Sequence, residues 1–389
     1  MIKLLIIYHS GLAEVIKNIF REYVKKGIDL TVIVPLKNGP LVYSPKHDEK
    51  GFKYIPLKLR AGYNFFKLFS AIKKTKPDVI HVFDEYHNFS LFQTILCRNI
   101  LYGKRVPVVC LSFQNIPYFY KSLPPTFESP VKFLRRFILK IFQPFIISFH
   151  NRYLDGVVAG NSEVISNIRN IGGKMPIEKI FWGVNFNKFY KKDRVDCREK
   201  LGIPKDIKLI GYVGKVMKAK GVDLAVKAVG DIKGYHLAFV GIGDFEKDLK
   251  ELKELIGSLK MNDRVHFYDK VKSDDLVDYY NSFDLLVVPS KTTANWKEQY
   301  GRVLVEGMAC HLPVVGSSSG SIPEVLEGYP KHLIFKESDY KDLKEKILQA
   351  EKMNFPENFD INNFMKKYSL ENFVNKSINF YKKISNGKL

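Results

Sequence analysis

The sequence predicts an α/β protein made of two doubly wound domains that face a cleft. Strand-like apolar runs alternate with helical patterns along the chain, which is typical of parallel sheets covered by helices. With 389 residues, the chain is long enough for two domains of ordinary size. A hydrophobic fraction of 46% is sufficient for two full cores.

The first half of the chain contains five short apolar runs that predict parallel strands, at 2–7, 30–34, 79–82, 108–111 and 156–159. Helical patterns lie between them, at 12–26, 63–74 and 88–101. Ligands of such sheets bind beyond the carboxyl ends of the strands. The loops at 9–11, 84–87 and 112–115 are therefore candidate binding loops.

The second half contains further strand patterns at 209–214, 236–243 and 264–268, and a long helical pattern at 363–385. Within this half, the runs 284–289 and 312–316 predict two buried strands, and 302–310 predicts a short helix between them that begins at Gly301. The amino end of a helix offers unpaired N–H groups and the positive end of the helix dipole. This helix start therefore suits a phosphate.

Two glutamates accompany this helix start. Glu298 lies in the loop before it and Glu306 lies one turn inside it, eight residues further along. Carboxylates are poor phosphate ligands but good acceptors for hydroxyl groups. The pattern therefore indicates a ligand with both phosphate and polyol groups, such as a sugar nucleotide.

The segment E-x7-E before A-C-x-L-P-V-V-G, followed by S-S-S-G-S-I-P-E-V, resembles the donor-site motif of the family 4 retaining glycosyltransferases, which have the GT-B fold. The resemblance is strongest over 205–327 and looser before 185. It implies an acceptor-side domain at 1–185, a nucleotide-sugar domain at 186–370, and a last helix at 371–389 that packs back on the first domain. It also implies that no metal and no cofactor are needed, because the nucleotide sugar is the co-substrate.

The resemblance implies roles for donor-side residues. Lys215 and Lys220 would stabilise the leaving diphosphate, although Lys215 stands where the family more often has arginine and so lacks the two-pronged grip of a guanidinium. Glu298 would contact the donor sugar and Glu306 the ribose hydroxyls. The other residues implied to bind the donor are Tyr300, Gly301, Arg302, Gly214, Gly241 and Gly243.

On the acceptor side, the resemblance implicates Gly11, Asp84, Glu85, His87, Gln114 and Asn115. Solvated loop charges explain the charged members of this set equally well. Leu12 replaces the second glycine that is usual in the family's first loop. Gln114 and Asn115 stand where many members carry a histidine-containing loop, and an amide can hydrogen-bond a sugar but cannot act as a general base. A retaining mechanism that needs no protein base is compatible with amides at these two positions.

The net charge of +21 is large and suggests an anionic partner. Nucleic acid is not expected, because the sequence has no zinc-finger, RRM or KH signature. Two tracts lack acidic residues, and one of them, 131–152, predicts a helix that Pro144 kinks or ends. Lys132, Arg135, Arg136 and Lys140 lie on one face of this helix among aromatic and aliphatic residues. The segment can rest in the interface of an anionic membrane or pack its apolar side on the sheet.

No apolar run is long enough to span a membrane, and the first apolar run lacks a cleavage site. The four cysteines have no metal-binding spacing, so reduced thiols are expected. The expected location is the cytoplasm, including peripheral binding at the inner face of the cell membrane. A second class stays open: a catalytically silent GT-B-like binding or scaffold protein at an anionic membrane. His311, where the family commonly has glycine, is the main departure near the site, and its side chain is expected to crowd the turn.

Overall fold

The computed structural model describes residues 1–9, 14–36, 51–58, 62–116, 130–241, 243, 246–269, 271–294, 296–354 and 356–385, and the side chains of all these except 130–140. The chain divides into two compact units. The first consists of Met1–Gly183 together with Leu370–Leu389, and the second is Val184–Ser369.

The first unit is built on a parallel sheet. Its strands are β1 (Lys3–Tyr8), β2 (Asp29–Leu36), β3 (Phe52–Lys58), β4 (Val79–Phe83), β5 (Val108–Ser112), β6 (Gly156–Ala159) and β7 (Ile177–Lys179). The described residues place them in the order β3-β2-β1-β4-β5-β6-β7. Its helices are α1 (Glu14–Lys25), α2 (Phe65–Thr75), α3 (Phe89–Tyr102), α4 (Pro130–Tyr153) and α5 (Ser162–Asn170).

Both faces of this sheet are buried. Leu5 and Ile7 of β1 belong to one hydrophobic core, whereas Leu4 and Ile6 belong to the core on the other face. Alternating residues of a strand point to opposite faces, so a strand buried on both sides must be apolar throughout. This explains why the continuous apolar runs predicted the central strands correctly.

The second unit is also built on a parallel sheet with helices. Its strands are β8 (Lys208–Val213), β9 (Tyr235–Val240), β10 (Val265–Tyr268), β11 (Leu285–Val288), β12 (Val314–Ser317) and β13 (His332–Phe335). They are parallel and lie in the order β10-β9-β8-β11-β12-β13 over the described residues. The helices are α6 (Arg194–Leu201), α7 (Val222–Gly230), α8 (Glu246–Ser258), α9 (Leu276–Ser282), α10 (Arg302–Ala309), α11 (Ile322–Leu326), α12 (Tyr340–Ala350) and α13 (Ile361–Met365). Strand order reverses between β8 and β11, which is where such sheets bind ligands.

The last helix, α14 (Leu370–Ile384), belongs to the first unit, as predicted. Its Tyr381 hydroxyl lies 2.8 Å from the Tyr23 hydroxyl of α1 and 2.6 Å from Nδ1 of His81 on β4. All three side chains are buried. A polar network of this kind fixes the position of α14 because each buried group needs its partner.

The elements differ from the expectations at three places. Of the two outcomes expected at Pro144, a kink or an end of the helix, the second is wrong: α4 continues to Tyr153, because a proline removes only one N–H group and the following Ile146 and Ile147 are buried. The single helical pattern at 363–385 is divided into α13 and α14 by a 3₁₀ turn at Lys366–Tyr368. Strands β3, β7 and β13 were not expected: β3 contains a proline, β7 has three residues and β13 has four.

The buried imidazole of His81 predicts a pH dependence of stability. Burial lowers the pKa of His81 from 6.5 to about 3. Between these values the unfolded chain binds a proton that the folded chain does not, so stability falls as the pH falls. The glutamine of a His81→Gln variant can keep the bond to Tyr381 but does not titrate. Between pH 7 and pH 5, wild type should lose about 2 kcal/mol more unfolding free energy than this variant.

Urea unfolding followed by circular dichroism at both pH values measures this difference. Tyr381→Phe is the matched control: it should lower stability at pH 7 and leave the pH dependence in place, because His81 remains buried. Equal pH dependence of wild type and His81→Gln would contradict the assignment.

Candidate functional site

The amino end of α10 is open. Its first residue is preceded by Gly301, whose φ of 68° lies in the left-handed region, and no side chain caps the helix. A Cβ atom at Gly301 would lie 2.8 Å from Cδ1 of Leu304 and 3.5 Å from Cγ of Glu298. Glycine is therefore needed for both conformation and space, and the uncapped N–H groups lie close to the Glu298 side chain.

Glu298 and Lys220 form an ion pair beside this helix start. Nζ of Lys220 donates to Oε2 of Glu298 at 2.8 Å, and the Ser290 hydroxyl donates to the same oxygen at 2.8 Å. Nζ of Lys220 also lies 4.8 Å from the centroid of the Trp296 ring. Glu298 is 6% exposed, whereas Lys220 is half-buried. The carboxylate and the indole thus hold the ammonium group at a fixed place.

The backbone brings Lys220 to this place. After β8, the 3₁₀ turn Lys218–Lys220 ends at Gly221, whose φ is 66°. A Cβ atom at Gly221 would lie 1.8 Å from the carbonyl oxygen of Pro289, so glycine allows the turn to touch the end of β11. The Lys291 N–H donates to the Ala219 carbonyl at 2.8 Å and joins the two loops.

The small-residue loop after β12 supports Glu298 from its other side. The Ser317 hydroxyl donates to the Ser290 carbonyl at 2.6 Å, and the Ser321 N–H donates to the Glu298 carbonyl at 3.1 Å. The segments that follow β8, β11 and β12 therefore meet around Glu298. Groups held in this way are preorganised for binding.

Glu306 is held differently. It is 3% exposed, its Oε1 contacts Nε of Arg302 at 2.8 Å, and its Oε2 accepts from the Tyr280 hydroxyl at 2.7 Å. Burial raises the pKa of the Glu306 carboxyl, and the positive charge of Arg302 opposes this rise. Both oxygens already have a partner. The expected contact with ribose stays a prediction, and it would require a ribose hydroxyl to share one oxygen with Arg302 or Tyr280.

The remaining donor-side residues surround the ends of β8 and β9. Gly214 has a φ of 144° and Gly241 a φ of 85°, and the Gly214 N–H donates to Val240, so the two glycine turns are adjacent. Lys215 follows and is exposed, as is Gly243. Tyr300 is buried, which raises the pKa of its hydroxyl, so its ring packs in the interior instead of lining an open surface.

On the acceptor side, Glu85 is not a solvated loop charge. Its Oε2 accepts from the Ser112 hydroxyl at 2.5 Å, the Phe113 N–H at 3.2 Å and the Gln114 N–H at 3.0 Å. Burial raises the pKa of the Glu85 carboxyl, and these hydrogen bonds oppose the rise. Through these hydrogen bonds, Glu85 fixes the start of the loop after β5. A direct contact with an acceptor sugar stays a prediction.

Asp84 accepts from the side chains of Asn88 and Ser90, and its Oδ2 lies 3.3 Å from Nδ1 of His9. His87 is half-buried. Gln114 and Asn115 are both buried in the loop after β5. Gly11 lies outside the described residues.

Sequence reasoning missed three partners, Ser290, Trp296 and Tyr280, and it named the loop of His9 without the contact between His9 and Asp84. Ser290 and Trp296 lie in the loop after β11 and Tyr280 lies in α9. The sequence carries no local signal for contacts between such separate segments. Among the described side chains, no three histidines, cysteines, aspartates or glutamates come together in a way that could hold a metal ion.

Two family models match the chain. Residues 9–187 match the family described as Glycosyltransferase Family 4, and residues 193–369 match the family described as Glycosyl transferases group 1. The two matches lie almost entirely within one structural unit each.

A similar curated protein is D-inositol 3-phosphate glycosyltransferase 1 of Catenulispora acidiphila, which is 28% identical over 180 residues. These residues are 43% of this chain and 42% of the relative, so less than half of the relative is matched. Two solved structures are similar over the whole fold. Sucrose-phosphate synthase from Thermosynechococcus elongatus has a TM-score of 0.75, 17% identity and 100% coverage of both chains. Anabaena HepE, solved in complex with UDP, has a TM-score of 0.74, 17% identity, and coverage of 98% of this chain and 100% of its own.

The Glu306 network gives a testable prediction. A Tyr280→Phe variant removes one donor from a buried carboxylate without changing packing volume. Because a hydrogen bond to a charged group contributes about 1.5–3 kcal/mol, urea unfolding at pH 7 should show a loss in that range. Tyr279→Phe, on the neighbouring tyrosine that packs against Tyr268, should cost less than 1 kcal/mol, roughly the value for a surface site. The network would be refuted by equal small losses in both variants.

Proposed function

The chain belongs to the family 4 glycosyltransferases, and we propose that it transfers a sugar from a nucleotide diphosphate donor to a glycan or lipid-linked acceptor, with retention at the anomeric carbon. The observation that carries this proposal is the ion pair of Lys220 and Glu298 at the uncapped amino end of α10. A cation, open N–H groups and a carboxylate in one place match a diphosphate next to a sugar.

In the proposed reaction, the bond between the sugar and the diphosphate breaks and negative charge builds on the diphosphate. Lys220 is positioned to receive that charge because Glu298 and Trp296 already hold its ammonium group. Lys215 and the N–H groups that follow Gly301 supply further positive potential. Preorganised groups of this kind need little rearrangement during the reaction, which is why they lower the barrier.

Glu298 has a second proposed role. Its Oε2 is bonded to Lys220 and Ser290, and a hydroxyl of the donor sugar would approach the same carboxylate. Glu306, which is buried more deeply, would contact the ribose by sharing an oxygen with its present partners. The positive groups of the protein replace a divalent cation in this proposal, so the reaction is proposed to be metal-independent.

The relatives suggest which compounds to test first. Anabaena HepE was solved with UDP, so UDP-sugars are the first donors to test, followed by GDP- and ADP-sugars. The Catenulispora relative is named for D-inositol 3-phosphate, so phosphorylated polyols belong among the soluble acceptors in the screen. Lipid-linked glycans form the other acceptor class.

The function is tested by product formation from these donors, with NMR coupling constants reporting the anomeric configuration of donor and product. Lys220→Ala should slow turnover by more than tenfold, each tenfold step being about 1.4 kcal/mol, without abolishing it. Excess EDTA should change the wild-type rate little. Lys218→Ala is the matched control: this lysine lies on the same turn but is exposed and pairs with Glu251, so its loss should leave turnover nearly unchanged.

Thermal unfolding of each variant separates a catalytic loss from misfolding, because Lys220→Ala also leaves the Glu298 carboxylate with one partner fewer. An inverted product would overturn retention, and activity that EDTA abolishes and magnesium restores would overturn metal independence. Donor binding without transfer or hydrolysis would indicate the silent binding protein instead.

We also propose that the first unit binds anionic membranes through its helices α2 and α4. Among the described residues, no helix is both long and apolar enough to cross a membrane. Three large apolar side chains of α4 are 56–60% exposed, namely Ile141, Phe142 and Phe145. On α2, Phe66 is 79% exposed and Lys73 and Lys74 lie in the last turn. Exposed aromatic groups beside cations suit a membrane interface, and each nearby lysine or arginine contributes about 1 kcal/mol of attraction.

Co-sedimentation with phosphatidylserine vesicles tests this proposal. Wild type should pellet at low salt and be released as salt shortens the range of the attraction. A variant with Lys132, Arg135, Arg136 and Lys140 changed to glutamine should stay in the supernatant and keep its donor affinity. Four exposed lysines of the second unit, changed likewise, provide the matched control: Lys247, Lys250, Lys253 and Lys260.

The membrane proposal would be lost if wild type remained in the supernatant with anionic vesicles at low salt. Equal release of the α4 variant and the control variant would indicate a general charge effect instead of a defined surface. Wild-type binding to a soluble anionic acceptor alone would assign the α4 cations to that acceptor.

A further inference from the structure

A groove runs along α2 in the first unit, between this helix and the sheet. Its volume is about 800 Å³, and it is lined by α2 from Phe66 to Thr75 and by residues of β1, β2 and β3. Lys3 and Asp29, the first residues of β1 and β2, belong to this lining. Of the described residues assigned above to the donor or the acceptor side, none lines the α2 groove. The proposed glycosyl transfer therefore does not use it, although its size suits a ligand.

Short side chains leave the space for the α2 groove. Ser70 and Ala71 line it from the helix, and Thr31 of β2 lines it from the sheet. Residues three or four positions apart share one side of a helix. Lys67 and Lys74, which also line the groove, therefore lie on either side of Ser70 and Ala71 along α2. The helix thus offers a trough of small residues with a lysine at each end.

The α2 groove also has an apolar lining. Ile55 and Leu57 are two residues apart on β3, so they point to the same face of the sheet. This is the face that α2 covers, since both residues pack in the same core as Leu68 of α2. On the helix side, the Phe66 ring lines the groove and is 79% exposed. An alkyl chain in the groove would be stabilised by burial against these side chains.

Positive charge accompanies this apolar lining. Asp29 is the one carboxylate among the described lining residues and is half-buried, so the lining has an excess of three positive charges. The excess comes from four exposed lysines, none of which forms a salt bridge with a carboxylate of the described residues: Lys3, Lys53, Lys67 and Lys74. Two of these lysines lie on strands and two on α2. An anionic group in the groove would therefore be attracted from both sides.

A ligand that satisfies both features has an anionic group and an apolar chain. An inorganic anion would meet the lysines and leave the apolar lining at Ile55 and Leu57 uncovered. A neutral chain would cover that lining and make no use of the charge. A flat bilayer surface that rested on Phe66 would not by itself fill the groove. The anionic phospholipids combine a phosphate with an alkyl chain.

We propose that the α2 groove holds one alkyl chain of an anionic phospholipid, with the lipid phosphate among the four lysines of the lining. This inference rests on the proposed membrane binding of the first unit and gives it a defined lipid site. The competing account is that the lysines attract the bilayer surface as a whole. In that case no single lipid should bind, and the length of an alkyl chain should not affect binding.

Butyl, hexyl and octyl phosphate are suitable probes, because they remain monomeric in dilute solution and need no vesicle. The readout is the δ1 methyl signal of Ile55 in NMR spectra, assigned by its loss in Ile55→Val. This signal reports on the groove and not on phosphate bound near Lys220 of the second unit. Octyl phosphate should shift it saturably, and each added pair of methylene groups should tighten binding roughly tenfold. Inorganic phosphate should leave the signal in place, and hexan-1-ol should bind more weakly than hexyl phosphate.

Ser70→Trp tests the groove itself, because Ser70 is exposed in the middle of the helical lining and an indole there would fill the space. This variant should bind octyl phosphate at least about tenfold more weakly, with thermal unfolding confirming that it is folded. Lys74→Gln should weaken binding about fivefold, the effect of one lysine near an anion. Lys73→Gln is the matched control: Lys73 is an exposed neighbour outside the lining and should bind as wild type does.

The proposal is overturned if octyl phosphate leaves the Ile55 signal unshifted, if affinity does not rise with chain length, or if Ser70→Trp binds as tightly as wild type. Wild type that pellets with anionic vesicles but gives no shift with octyl phosphate would overturn the lipid site and leave the membrane proposal in place. Saturable, chain-dependent binding that Ser70→Trp loses would support the site, whatever the result of co-sedimentation.

Discussion

Burial of both faces of two parallel sheets is the constraint on which the rest of this structure depends. Leu5 and Ile7 pack in one core of the first unit, and Leu4 and Ile6 pack in the other. Such strands have no face for a polar side chain. Charged groups of the candidate site therefore lie in loops at the carboxyl ends of β8, β11 and β12, and a polar residue inside a central strand, such as His81, needs a buried partner like Tyr381.

The same constraint explains why the site depends on close backbone approaches. Gly221 touches the Pro289 carbonyl and Gly301 lies against Glu298, and a Cβ atom at either position would collide with its neighbours. These contacts bring Lys220 within 2.8 Å of Glu298. A buried carboxylate without a partner costs several kcal/mol. The pair therefore stabilises the fold and at the same time fixes the cation that is proposed to meet the diphosphate.

Much of the fold could be predicted from the sequence, because the central strands are continuous apolar runs with clear boundaries. The edge strands of the first sheet could not: β3 contains Pro56 and two lysines, and β7 has three residues. The donor motif was recognisable since its residues are close together in the chain. The partners of Glu306 and Glu85 were not, because Tyr280 lies 26 residues away from Glu306 and Ser112 lies 27 residues away from Glu85. Burial of a loop carboxylate depends on such contacts. Local sequence patterns therefore cannot distinguish a buried, hydrogen-bonded carboxylate from a solvated one.

The two ends of α10 place different demands on the residue that flanks the helix. At its amino end, Gly301 is in the left-handed conformation, and a Cβ atom there would also meet Cδ1 of the buried Leu304 at 2.8 Å. At its carboxyl end, His311 adopts the same left-handed conformation, but its side chain lies at the edge of a cavity. A residue other than glycine costs only backbone strain at that position. A substitution at Gly301 would therefore meet both backbone strain and the Leu304 side chain, whereas His311 shows that the left-handed conformation alone is accommodated at the other end of the same helix.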